Sequence, residues 1–172
     1  MRVEFRIAGS GGQGVISAGI ILANAAVQSG LYAIQSQSYG PEARGGTSKA
    51  EVIISKEEID YPKAACPNYL ICMTTESYVT YGKNADPSTQ IFVDSAVEIE
   101  EGSRAMKVAV METAKSISFK SANVVAVAFL SGYTGLVAKE NLLSALKEQF
   151  PKFYDTNLLC AEAGYKLAEA AK

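Results

Sequence analysis

The first thirty residues constrain this chain most: an alternating strand, then four glycines in six positions, then a nearly unbroken apolar run. Val3, Phe5 and Ile7 alternate with Glu4, Arg6 and Ala8, a period of two that turns one strand face toward a core. That strand runs into Gly9-Ser-Gly-Gly-Gln-Gly14. From Val15 to Gln28 the polar residues Ser17, Asn24 and Gln28 fall at helical spacing on one narrow stripe. This predicts a helix buried over most of its circumference, stopped near Gly30. Strand, glycine turn and buried helix in this order begin a Rossmann-like unit.

Residues 32–38 and 47–55 both read as strands, and the connection Tyr39 to Gly46 is shorter than the dozen or so residues a parallel crossover needs. An antiparallel pair inside an otherwise parallel sheet is therefore expected. Further strands are expected at Tyr69 to Met73, Gln90 to Asp94 and Lys107 to Met111, with a short helical segment near Glu76 to Tyr81. The last third reads as helical: Asn123 to Ser131, then Lys139 to Phe150 ended by Pro151, then a terminal helix from Leu158. In the second of these, Leu142, Leu143, Leu146 and Phe150 share one face. In the third, Glu162 and Lys166 are placed as an i, i+4 pair. No repeat or linker divides the chain. The expectation is an α/β fold, a three-layer domain with a mixed, mostly parallel sheet, formed by residues 1–172 as a single unit.

Charge and composition narrow the function. Sixteen basic and eighteen acidic residues, with no long block of one sign, leave no electrostatic footprint for nucleic acid. Cys66, Cys72 and Cys160 are odd in number and widely spaced, which argues against a disulfide framework and against a zinc or iron–sulfur cradle. A reducing, cytoplasmic compartment follows. The apolar run of residues 15–27 is shorter than the about 20 residues a membrane span requires. The chain also opens directly on a strand rather than a signal-peptide apolar region. With no histidine, the commonest acid–base group is missing.

Two loops carry the candidate site. Gly9, Gly11 and Gly14 satisfy the Gly-x-Gly-x-x-Gly pattern, in which amides at a helix N-terminus hold a phosphate, here across Ser10, Gly11, Gly12, Gln13 and Gly14. Gln13 is read as an amide side chain offered at the loop crest. A nicotinamide-binding domain would add a carboxylate at the end of the second strand, yet that strand ends Gln35-Ser-Gln-Ser38. The alternative is a purely steric role in a tight turn and close helix packing.

In the second loop Pro41 sets one backbone angle, and Gly40, Gly45 and Gly46 permit positive φ, so that Tyr39, Glu42 and Arg44 are presented together. Arg44 can clamp a phosphate or carboxylate, or simply pair with Glu42 in solvent. Asp94, after Ile91-Phe-Val93, stands where α/β sheets place polar ligands or cap the next turn, and Cys72 reads as a small core residue. Asp60-Tyr-Pro62 marks either a turn or a surface contact.

At these residues the chain resembles the gamma subunit of the 2-oxoacid:ferredoxin oxidoreductases. The Gly9-Ser-Gly-Gly-Gln-Gly-Val15 loop is similar to that family's Gly-x-Gly-Gly-Gln-Gly signature. Ser38-Tyr-Gly-Pro-Glu-Ala-Arg-Gly-Gly-Thr47 followed by Val52-Ile-Ile-Ser55 is the more specific match, to the 2-oxoglutarate-type branch. The resemblance implies a complex that decarboxylates a 2-oxoacid on thiamine diphosphate with Mg2+. Electrons would pass through iron–sulfur clusters to ferredoxin or a similar acceptor, and an acyl-coenzyme A would be released. It implies that thiamine-bearing and iron–sulfur-bearing subunits supply those cofactors, that this chain binds none alone, and that it contributes to assembly and coenzyme A access through both loops. The competing readings are a stand-alone Rossmann-type nucleotide-binding oxidoreductase and a purely structural interaction subunit.

Overall fold

The computed structural model describes residues 1–38 and 46–172. Six strands form one sheet: β1 (Arg2–Ser10), β2 (Tyr32–Gln37), β3 (Thr47–Ser55), β4 (Tyr69–Cys72), β5 (Gln90–Asp94) and β6 (Met106–Val108). Their order across the sheet is β2-β3-β1-β4-β5-β6. β1, β4, β5 and β6 pair in parallel, while β3 runs antiparallel to both β1 and β2. The mixed, mostly parallel sheet is thus as expected.

Alternation along β1 divides the core as its sequence indicates. Phe5 and Ile7 point into a large apolar cluster shared with Val52 and Ile54 of β3, Ile71 of β4 and Phe92 of β5. Ala8 joins a smaller cluster on the opposite face with Leu70, Cys72, Ile91 and Val93. The larger cluster is roofed by α1 (Val15–Gln28), α3 (Val110–Ile117), α4 (Ala122–Thr134), α5 (Lys139–Gln149) and α6 (Tyr154–Ala170). The smaller is closed by α2 (Thr75–Ser77) and the π turn Tyr78–Gly82 that continues it, completing three layers. Thr74 starts that segment with a capping box, accepting from the Ser77 N–H at 3.1 Å.

α4 is the central helix. Ten consecutive residues, Ala122 to Ser131, are buried. Phe129 packs edge-on against Phe92 at 4.9 Å between ring centroids, and Tyr133 packs against the same ring at 4.8 Å. α1 lies over β2 and β3 and also packs against α5, and α6 packs along α4.

Three expectations are corrected. The segment expected as a strand over Lys107 to Met111 is a strand only at Met106–Val108, and α3 begins at Val110. The Asp94 carboxylate, 1% exposed, accepts the Met111 N–H at 2.8 Å and the Ala96 N–H at 3.0 Å, which ties the first turn of α3 to the end of β5. The terminal helix starts at Tyr154 rather than Leu158, because Pro151–Phe153 forms a 3₁₀ turn that feeds directly into it. Glu162 pairs across helices with Lys139 at 2.7 Å, where Lys166 on its own helix was expected.

Candidate functional site

The glycine loop joins β1 to α1 at the C-terminal edge of the parallel strands. Its geometry follows from two left-handed glycines, Gly12 at φ 87° and Gly14 at φ 71°. Gly14 is the N-cap of α1, with no side-chain cap and no acidic residue in the first turn, so the positive end of the helix dipole is left for something else to meet. The N–H groups of Gly12 and Gly14 have no partner among the described residues, whereas Gln13 N–H bonds the Ser10 carbonyl at 3.2 Å.

Gln13 is not at the crest of the loop. Its Oε1 turns back to accept the Ser10 N–H at 2.8 Å, and its Nε2 reaches Met111 Sδ at 3.8 Å. A carboxamide that folds under the turn satisfies a backbone donor the loop would otherwise orphan. The Ser10 amide is thereby spent internally, and the anion-facing part of the loop narrows to Gly12, Gly14 and the first turn of α1. Gly9 is needed for this arrangement, since a Cβ there would collide with Gln13 Oε1.

The second loop ends beside the first. Ser10 pairs with Thr47 in the β1–β3 ladder, and the Gly11 N–H approaches the Gly46 carbonyl at 3.4 Å. Gly46, at φ 80°, is in the left-handed region as expected. Tyr39, Gly40, Pro41, Glu42, Ala43, Arg44 and Gly45 lie outside the described residues, so the roles assigned to Tyr39, Glu42, Arg44 and Gly45 rest on sequence.

The strand order also explains the absent ribose carboxylate. Antiparallel β3 stands between β1 and β2, which places the end of β2 about 10 Å from the glycine loop at the usual strand spacing. A residue there could not serve a dinucleotide held at Gly9 to Gly14 as it does when the two strands are neighbours.

Other candidates have structural roles. Asp94 is the cap just described. Cys72 is buried, and desolvation pushes its thiol up to about 12, an inert core group. Asp60 and Tyr61 are on the surface, where the Tyr61 carbonyl accepts from Arg2 Nη2 at 3.0 Å. No group of acidic or cysteine side chains suited to a metal occurs among the described residues. No helix among them is long and apolar enough to cross a membrane.

A cleft of about 470 Å³ opens beside the loop. Gly12, Gly14 and Ser17 form one wall, Ser118, Lys120, Ser121 and Asn123 a second, and Phe150, Phe153, Thr156 and Asn157 a third. Of these residues, sequence reasoning selected Gly12 and Gly14 alone. The available signal was Asn123 itself, a carboxamide at the head of the apolar run Ala122 to Leu130, and it donates from Nδ2 to the Gly14 carbonyl at 3.2 Å.

Comparison with known proteins agrees with this architecture. Residues 4–167 match the family model described as pyruvate ferredoxin/flavodoxin oxidoreductase. The chain is 41% identical to the 2-oxoglutarate synthase subunit KorC of Methanothermobacter thermautotrophicus, covering 97% of this chain and 95% of that one. It superposes on the gamma subunit of a keto/oxoacid ferredoxin oxidoreductase from Geobacter sulfurreducens with a TM-score of 0.85 at 35% identity, over 98% of this chain and 99% of that one. A 2-oxoglutarate:ferredoxin oxidoreductase from Magnetococcus marinus, solved with 2-oxoglutarate, coenzyme A and succinyl-CoA bound, also gives 0.85 at 26% identity. There the match covers 98% of this chain and 31% of the larger one. With the family match, the full-length relationship and the shared fold all in agreement, the chain belongs to the pyruvate ferredoxin/flavodoxin oxidoreductase family, as a gamma-type subunit of a multi-subunit 2-oxoacid:ferredoxin oxidoreductase.

Proposed function

We propose that residues 1–172 act as one gamma-type domain in a complex that converts 2-oxoglutarate, coenzyme A and oxidised ferredoxin to succinyl-CoA, carbon dioxide and reduced ferredoxin. Thiamine diphosphate with Mg2+ and the iron–sulfur clusters belong to partner subunits. The 2-oxoglutarate assignment follows the similarity to a subunit bearing that substrate's name and the Ser38 to Thr47 sequence. A cytoplasmic setting fits three cysteines that are all free thiols.

Within the complex, the two loops contact coenzyme A on its way to the acyl intermediate. Gly12 and Gly14 offer amides at a helix N-terminus, framed by Ser10, Gly11 and Gln13, and Arg44 adds a guanidinium suited to phosphate. Tyr39, Glu42, Gly45 and Gly46 of the second loop are assigned to the same contact. The observation that carries this reading is the Ser10–Thr47 pairing, which brings the base of the Arg44 loop to the mouth of the glycine loop.

Arg44→Ala in the assembled complex tests it. The apparent KM for coenzyme A should rise about tenfold or more, the scale of one lost charge-assisted phosphate contact, with kcat and subunit composition little changed. An unchanged KM refutes the coenzyme A contact. Subunit loss on gel filtration would make the loop a docking surface instead.

A further inference from the structure

The two edges of the sheet are built differently. β6 is three residues long and carries Lys107, the short, charged form that resists pairing with a further strand. β2 is six residues, Tyr-Ala-Ile-Gln-Ser-Gln, in unbroken register with β3 and without charge, proline or bulge. The Ser38 N–H bonds the Lys49 carbonyl at 3.3 Å, so by antiparallel alternation Ile34 and Ser36 bond β3 while Ala33 and Gln35 turn their N–H and C=O groups outward. No strand among the described residues meets that outer side.

Apolar side chains border this edge on both faces of the sheet. Tyr32, 53% exposed, and the half-buried Ile34 stand on the face opposite α1. On the other face α1 straddles β2 and β3, and its Gly19 faces the sheet with Ala50 and Gln35 as nearest neighbours. Ile16, Ile20 and Val27 form a stripe about a quarter turn round the helix from Gly19 and opposite the buried Ala18 and Ala25. The stripe therefore projects past β2, where Val27 is 58% exposed and Ile16 and Ile20 are half-buried. α1 contains no charged residue.

We infer that β2 pairs antiparallel with β2 of a second copy of this chain, joining two six-stranded sheets into one, with the two α1 helices packed across the two-fold axis. An axis perpendicular to the sheet keeps every side chain on its own face, so it must pass through a residue. Centred on Ile34, it sets that side chain against its own copy and exchanges hydrogen bonds between Ala33 and the second copy's Gln35. Because α1 straddles β2 and β3, the two helix axes then lie about 10 Å apart at the usual strand spacing, the separation of packed helices. Strand and helix are both uncharged, so two identical surfaces meet without like-charge repulsion, which is the reason for assigning the edge to a second copy. Neither the glycine loop nor the Arg44 loop takes part, and the coenzyme A reading stands or falls separately.

Sedimentation equilibrium of the full chain at micromolar concentration is expected to give twice the 18.2 kDa chain mass. Ile20→Glu and Ile20→Lys place like charges across the axis, and each should raise the dissociation constant at least about tenfold. An equimolar mixture of the two variants should associate again, which a folding defect would not allow. In a Cys66→Ser background, which removes the exposed thiol, Ile34→Cys should form an intermolecular disulfide on mild oxidation, since a residue on the axis lies within bridging distance of its copy. A crosslink confined to the assembled complex upholds the pairing as one completed on assembly. A chain still monomeric at about 100 µM, with no Ile34→Cys crosslink in the complex, overturns the inference, as does a dimer that neither Ile20 substitution weakens. Ala33 and Gln35 amides that gain exchange protection only when partner subunits are added to a chain that stays single would assign the edge to a partner and overturn it too.

Discussion

Gly11, Gly12 and Gly14 occupy one loop yet answer to different forces. A Cβ on Gly14 would lie 2.5 Å from Asn123 Nδ2, and its φ of 71° is a conformation L-residues avoid. A Cβ on Gly11 meets nothing within 4 Å. Gly14→Ala should therefore lose roughly 2–4 kcal/mol, adding left-handed strain to overpacking, while Gly11→Ala stays within about 0.5 kcal/mol. Urea midpoints of the two variants check this, and equal midpoints would remove the packing argument. The steric role of the third glycine was legible, because the spacing of the pattern implies a tight turn followed by close packing. The inward fold of Gln13 was not: a glutamine between glycines has many rotamers, and the choice is made by the Ser10 donor and Met111, the latter 98 positions away.

At the scale of elements, α4 and α6 approach so closely that a Cβ on Gly164 would lie 2.5 Å from the Val125 carbonyl oxygen. On an isolated helix, Gly164→Ala would stabilise by about 1 kcal/mol through propensity. Here overpacking reverses the sign, and a loss of about 1–3 kcal/mol is expected. A lowered melting temperature with faster amide exchange in α6 would establish the reversal, and a raised one would show that the helices can separate at no cost. The strands β1 to β5 were legible from period and turn residues. The start of α3 was not, since Val108 to Met111 is apolar without a decisive period, and the Asp94 cap that ends the strand reading comes from another element.

For the whole molecule, burial raises several acids at once. Desolvation lifts the Cys72 thiol from its ordinary 9.0 to about 12, and it also raises the Tyr78 and Tyr165 hydroxyls. These groups ionise earlier in the unfolded chain than in the folded one. Their contribution is therefore full below about pH 9 and is lost as pH climbs toward the folded values. Urea unfolding should show stability falling from pH 9 to pH 10 by about 1 kcal/mol through Cys72, half ionised in the unfolded chain at pH 9, and Cys72→Ala should remove that loss. An unchanged slope would place the titration elsewhere. By itself the amino-acid sequence determined an α/β chain with a glycine turn between a strand and a buried helix, because alternation, glycine sterics and apolar periodicity act between residues near one another. Only the tertiary structure decided that β3 separates β1 from β2, that Gln13 faces inward, and that two asparagines 34 positions apart, Asn123 and Asn157, line a single cleft. Those outcomes depend on which distant backbone and side-chain groups meet, and no local pattern encodes that.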